Sequence, residues 1–145
     1  MKDGNVDKKR CGWLVEYAYP MGVTFHRAFD RTVDPFKALE DIIEIGCEII
    51  LTSGQKQNAP DGAALINQLV KKGGDRIIIM PGSGVRSDNI SAIAQATNAV
   101  EFHSSARKKT ESKMEYFNTG LNENLATPGV DEEEIKGMLE SLKNK

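Results

Sequence analysis

Strand-forming and helix-forming segments alternate along this chain, and that alternation limits its fold more than any other feature. Val23-Thr24-Phe25-His26-Arg27-Ala28-Phe29 is a short run of β-branched and aromatic residues suited to a strand. Asp34-Pro35 then opens a helix, with Asp as cap and Pro at the first helical position. Phe36, Leu39, Ile42 and Ile43 form its apolar stripe, and Gly46 ends it. The unit repeats: Cys47–Leu51 reads as a strand, Thr52-Ser53-Gly54-Gln55 as a polar loop, and about Asp61 to Lys72 as a helix stopped by Gly73-Gly74. Arg76–Met80 is the most hydrophobic strand. After Pro81-Gly82-Ser83-Gly84, the residues Ser87, Asp88 and Asn89 offer caps for a helix through about Thr97, and Ala99–His103 reads as a fourth strand. A leading helix over residues 7–19 carries Trp13, Leu14, Tyr17 and Ala18 on one face and ends at Pro20. A closing helix over 131–143 has three Glu in its first turn, where they complement the helix dipole. Strands alternating with helices of this length predict βαβ crossovers and a parallel sheet in a single domain, 1–145.

Length sharpens that expectation. A closed (β/α)8 barrel needs about 250 residues, and this chain has 145. Parallel sheets are covered on both faces, whereas four units supply helices for only one face of a curved sheet. Residues 104–130 form a connection long enough to expect a lid or a tether. With 19 basic against 21 acidic residues, the formal charge of −2 offers no positive excess for nucleic acid or an anionic membrane. No apolar run reaches the roughly 18 residues of a spanning helix. The N-terminal Met1-Lys2-Asp3-Gly4-Asn5 has no apolar core of a secretory signal. Cys11 and Cys47 have neither disulfide-framework nor zinc-ribbon spacing and read as packing residues, so a cytoplasmic setting is expected.

Strand parity sorts the side chains. Val23, Phe25, Ala28, Val100 and Phe102 fall on the helix-facing side, whereas Thr24, His26, Glu101 and His103 fall on the other, which in a barrel is the interior. Both histidines of the chain and one carboxylate thus sit near strand ends, where barrels place catalytic groups. His26 and His103 are candidate general acid/base residues with Glu101 as partner. Each also reads as a buried polar group satisfied by its neighbours. His26 and His103 are weak metal-ligand candidates too, since one donor per strand is not a compact ligand motif. Asp30 lies just past the first strand. Arg27 there could hold a carboxylate or phosphate as a fork, or could form a surface salt bridge. Gly82-Ser83-Gly84 before a helix, Ser104-Ser105 after the fourth strand, and Ser53 complete an anion-binding set in which small residues let backbone N–H groups approach. A Gly-x-Gly also occurs in ordinary turns.

Taken together, Val23–Asp30, Leu51-Thr52-Ser53-Gly54-Gln55, Pro81-Gly82-Ser83-Gly84-Val85-Arg86 and Glu101-Phe102-His103-Ser104-Ser105 resemble the CutC copper-homeostasis proteins in order and spacing, over about residues 3–145. The resemblance implies a TIM-type (β/α)8 barrel of which this chain is about the C-terminal half, four strands. It also implies a cytoplasmic copper-handling function, with copper as the associated metal. It implies that the first four strands, and the early cysteines that would suit copper(I), lie outside this chain. The alternatives are a barrel enzyme acting on a small anionic metabolite, or an inactive fragment. Because four strands leave a sheet face and two edges uncovered, a homodimer or larger oligomer is expected.

Overall fold

The computed structural model describes residues 1–116, 118–121 and 126–143. Helix α1 (Lys8–Ala18) leads to β1 (Thr24–Phe25) and a 3-10 turn at Arg27–Arg31. Then follow α2 (Pro35–Glu44), β2 (Ile49–Thr52), α3 (Ala63–Gly73), β3 (Ile78–Pro81) and α4 (Ile90–Thr97). The chain continues through β4 (Arg107–Thr110), β5 (Thr127–Val130) and α5 (Glu132–Lys143). Strands β1, β2 and β3 are parallel and adjacent in chain order, with Thr24 opposite Ile49 and Ile49 opposite Ile78. This is the βαβ ladder that the alternation predicts.

Local chemistry sets the elements. Asp34 caps α2 by accepting from the Phe36 and Lys37 N–H groups at 2.9 and 3.0 Å. Leu39 and Ile42 of its stripe are fully buried, with Phe36 and Ile43 packed at the margin. They meet Ile50, Ile66, Leu69 and Ile79 in one core between sheet and helices. Each fully buried Leu or Ile stabilises the fold by about 1.5–3 kcal/mol relative to exposure.

Several expectations need correction. The first strand stops at Phe25, because the His26 imidazole accepts from the Ala28 N–H at 2.9 Å and starts a 3-10 turn. The fourth strand is reduced to a single parallel bridge between Gly82 and His103, held by the His103 N–H on the Pro81 carbonyl at 2.9 Å. Val100, expected under the helices, is 82% exposed. With a neighbour on one side only and little buried surface, residues 99–103 lack what would hold a longer ladder. The connection 104–130 contains the antiparallel pair β4–β5, Arg107 opposite Val130, which the polar composition of Arg107-Lys108-Lys109 concealed.

Helix α1 is turned differently from its apolar pattern. Cys11 and Val15 pack on the core, whereas Leu14 and Tyr17 are exposed (68% and 87%) and Trp13 carries the Lys9 ammonium over its ring. No element among the described residues covers that aromatic face. The sheet is likewise one-sided. Ile50, Ile79 and Pro81 point into the core, and Thr24, Ile49, Leu51, Ile78 and Met80 point away from the helices and are exposed or half-buried.

Candidate functional site

The carboxyl ends of the strands are organised around one carboxylate. Asp30, in the turn after β1, accepts from the Thr52 hydroxyl, from the Ser53 N–H at 3.1 Å and from the Gln55 N–H at 3.1 Å. The Arg27 Nε donates to the same carboxylate at 2.8 Å. Burial pushes the Asp30 carboxyl up, but the donors from Thr52, Arg27, Gln55 and Ser53 outweigh it and hold it below the usual carboxylate range. Arg27 also donates to the Ser53 hydroxyl at 2.6 Å, and that hydroxyl in turn donates to the Lys56 carbonyl. Ser53 is therefore a fully buried strut that fixes the arginine, with no face toward a ligand.

The loop after β2 is pinned by backbone contact. A Cβ on Gly62 would lie 1.9 Å from the Ser53 carbonyl oxygen, so the entrance to α3 can press against the loop only as glycine. Helix α3 starts at Ala63, with Gly62 at its cap position, later than the expected Asp61.

Beyond β3, the Gly82-Ser83-Gly84 turn does not open directly onto a helix. Its Ser83 hydroxyl donates to the Gln57 carbonyl at 3.0 Å, and α4 begins six residues after Gly84, at Ile90. The expected caps serve other purposes. Asn89 accepts from the Arg86 N–H at 2.9 Å and donates to the Gly84 carbonyl at 2.8 Å, while Ser87 binds Glu134 of α5. Gly82 faces the sheet's uncovered side, where a Cβ would lie 2.4 Å from Leu51 Cδ1 and 3.4 Å from His103 Cβ.

These loops enclose a cleft of about 370 Å³ lined by Arg27, Leu51, Ser83, Gly84, Val85, Arg86, His103, Ser104, Ser105 and Arg107. The sequence anticipates Arg27, Ser83, Gly84, His103, Ser104 and Ser105. It did not place Arg86, and it read the Arg107-Lys108-Lys109 run as a solvated loop with anion steering as the alternative; the two arginines lie two residues beyond Gly84 and Ser105. Arg27 is paired with Asp30, and Arg86 with Glu134 at 3.1 Å. Arg107 forms no side-chain ion pair among the described residues, so the three guanidinium groups leave the cleft with one uncompensated positive charge. Ser104 donates to the Val85 carbonyl at 2.7 Å, and Ser105 stays exposed at the rim.

His26 and His103 are not brought to one site. His26 lines a separate cavity of about 460 Å³ with Cys11, Cys47 and Phe25, and Glu101 is exposed and lines neither space. The trio His26, Glu101 and His103 therefore does not form an acid/base set. Among the described residues no three His, Cys, Asp or Glu side chains converge to hold a metal ion. Burial pushes both cysteine thiols above their usual pKa, which disfavours the thiolate that copper(I) binds. The residues present thus do not fit a built copper cage. Among the described residues, no helix is long and apolar enough to cross a membrane.

The model of the CutC family matches residues 1–108. This chain belongs to the CutC family. A family protein CutC of Parabacteroides distasonis is 48% identical over 145 residues, covering 95% of this chain and 60% of the relative. The copper homeostasis protein cutC homolog of Mus musculus is 42% identical over 120 residues, covering 83% of this chain and 44% of the relative. The chain thus spans about half the length of the curated relatives it matches. The crystal structure of the putative copper homeostasis protein CutC from Streptococcus agalactiae superposes with a TM-score of 0.67 at 26% identity, over 71% of this chain and 51% of that one. The fold is accordingly part of the CutC (β/α) barrel, and the cleft lies at the end where such barrels carry their sites.

Proposed function

We propose that this CutC chain binds a small phosphate- or carboxylate-bearing ligand in the cleft of Arg27, Arg86 and Arg107, as part of a protein that serves copper homeostasis in the cytoplasm. One observation carries the reading: three guanidinium groups, from the turn after β1, the loop after β3 and the start of β4, line a single cleft, and among the described residues only two of them have ion-pair partners. Guanidinium forks suit oxyanions because their parallel N–H groups match two oxygens at once. Asp30 and Ser53 position Arg27 from below, and Glu134 positions Arg86 from α5. A chemical step on the bound ligand would use His103, the one imidazole lining the cleft, as acid or base.

Calorimetric titration with inorganic phosphate tests this. Arg107→Ala removes the unpaired charge without breaking any ion pair, and it is expected to weaken binding at least tenfold. An absence of heat at millimolar phosphate, or equal binding by the variant, would contradict the proposal.

A copper-handling reading draws support from the names of the mammalian relatives, which are called copper homeostasis proteins. On that reading copper is cargo. Equilibrium dialysis would favour it if this chain retained copper and lost it in His26→Ala or His103→Ala while Arg107→Ala had no effect.

A further inference from the structure

Two backbone donors of the arginine cleft are left unused. The N–H groups of Gly84 and Val85 donate to no other described residue, although both residues line the cleft and Val85 is only 2% exposed. The carbonyls of the same two residues are engaged. Asn89 donates to the Gly84 carbonyl at 2.8 Å, and the Ser104 hydroxyl donates to the Val85 carbonyl at 2.7 Å. A buried N–H is nearly always paired, so an orphaned one beside a guanidinium group marks a place for an acceptor. With Arg86 next in the chain and Arg107 across the cleft, the two amides make one oxyanion subsite.

A further cation stands beside that subsite. Strands β4 and β5 pair antiparallel, with Arg107 opposite Val130 and Lys108 opposite Gly129. Side chains alternate between the two faces of such a ribbon. Lys108 takes the face of Asp131, its ammonium 3.7 Å from that carboxylate. Thr110 shares this face, its hydroxyl 2.7 Å from where a Cβ on Gly129 would lie. Arg107 and Lys109 therefore share the other face, roughly 6.8 Å apart along the strand. Lys109 is exposed and forms no ion pair among the described residues. The root of the ribbon is tied to the cleft wall, where Arg86 donates to the Arg107 carbonyl at 3.4 Å and the Asp131 N–H donates to the Ala106 carbonyl at 2.7 Å.

We propose that the ligand of this cleft carries two anionic groups. Its phosphate sits on the Gly84 and Val85 amides between Arg86 and Arg107, and a second acid group, joined through a short carbon chain, pairs with Lys109. The inference rests on the oxyanion reading above and narrows its ligand class to small phosphorylated acids. A single oxyanion would satisfy the amides and Arg107 and leave Lys109 without a counter-charge. Lys108, already paired with Asp131 on the opposite face, takes no part.

Calorimetric titration of the whole chain with two probes of the same carbon skeleton separates the groups. Glycerol 3-phosphate carries the phosphate alone, and 3-phosphoglycerate adds a carboxylate at the far carbon. The second probe is expected to bind at least tenfold tighter. Lys109→Ala is expected to abolish that advantage and leave the affinity for glycerol 3-phosphate unchanged, whereas Lys108→Ala should alter neither affinity. Equal affinity for the two probes, or an advantage that survives Lys109→Ala, would overturn the inference and leave the oxyanion reading standing. An advantage lost equally in Lys108→Ala would also overturn it, because the ribbon would then act only through its total charge. Binding of neither probe would overturn both readings.

Discussion

Asp30 does more for the site than any residue that touches the cleft. Its carboxylate gathers donors from two loops, and without them Arg27 would lose its orientation. Hydrogen bonds to a buried charge contribute more than neutral ones, so Asp30→Asn should cost about 2–3 kcal/mol at neutral pH in urea unfolding. The pH dependence follows from the depressed pKa. The contribution is fully present above the unfolded value of about 3.9 and is lost as pH falls through the lower folded value. The variant should therefore lose stability at pH 7 and show a flatter acid limb below about pH 4. Wild type and variant with parallel acid limbs would count against this role. In the sequence, Asp30 was visible as a residue just past the first strand that could line the mouth of the site beside Arg27. Its importance depends on Thr52, Ser53 and Gln55, which lie more than twenty residues away and reach it only once β1 and β2 pair.

At the scale of elements, α5 is coupled to the cleft through Glu134, with Ser141 also donating to the Ser87 carbonyl at 3.0 Å. Glu134 accepts from the Ser87 N–H at 2.8 Å and from the Ser87 hydroxyl at 2.9 Å, and pairs with Arg86. The Ser87 bonds, backbone first, and then Arg86 hold its carboxyl below the usual range. Glu134→Ala should release the first turn of α5, seen as at least tenfold faster amide exchange in α5 with β2 and β3 unchanged. It should also free Arg86 and so alter phosphate affinity. Exchange rates unchanged in α5 would show that Met138 and its apolar neighbours hold the helix alone. The helices α2, α3 and α4 were legible because each carries an apolar stripe that this chain itself buries. Helix α1 misled for the opposite reason, since its Trp13, Leu14 and Tyr17 face has no cover here. The fourth strand and the β4–β5 pair escaped the pattern because neither owes its form to buried alternation. One is a single bridge, and the other is a ladder whose β4 residues are all exposed.

For the whole molecule, the parallel (β/α) architecture was readable because alternation of strands and helices allows few topologies, and membership in the CutC family agrees with it. What the open face meets was readable only as a deficit: four units cannot cover both sides of a sheet. The cleft belongs to this scale as well, because its charge comes from loops that follow β1, β3 and the Gly82–His103 bridge, and only the assembled sheet aligns them. We propose that an oxyanion binds there, among Arg27, Arg86 and Arg107. The most direct measurement is a phosphate titration followed by amide NMR. The expected result is a saturable shift confined to Gly84, Ser104, Ser105 and Arg107 and the loops that hold them, abolished in Arg107→Ala. Shifts that never saturate, or that centre on the cavity of His26, Cys11 and Cys47, would contradict it.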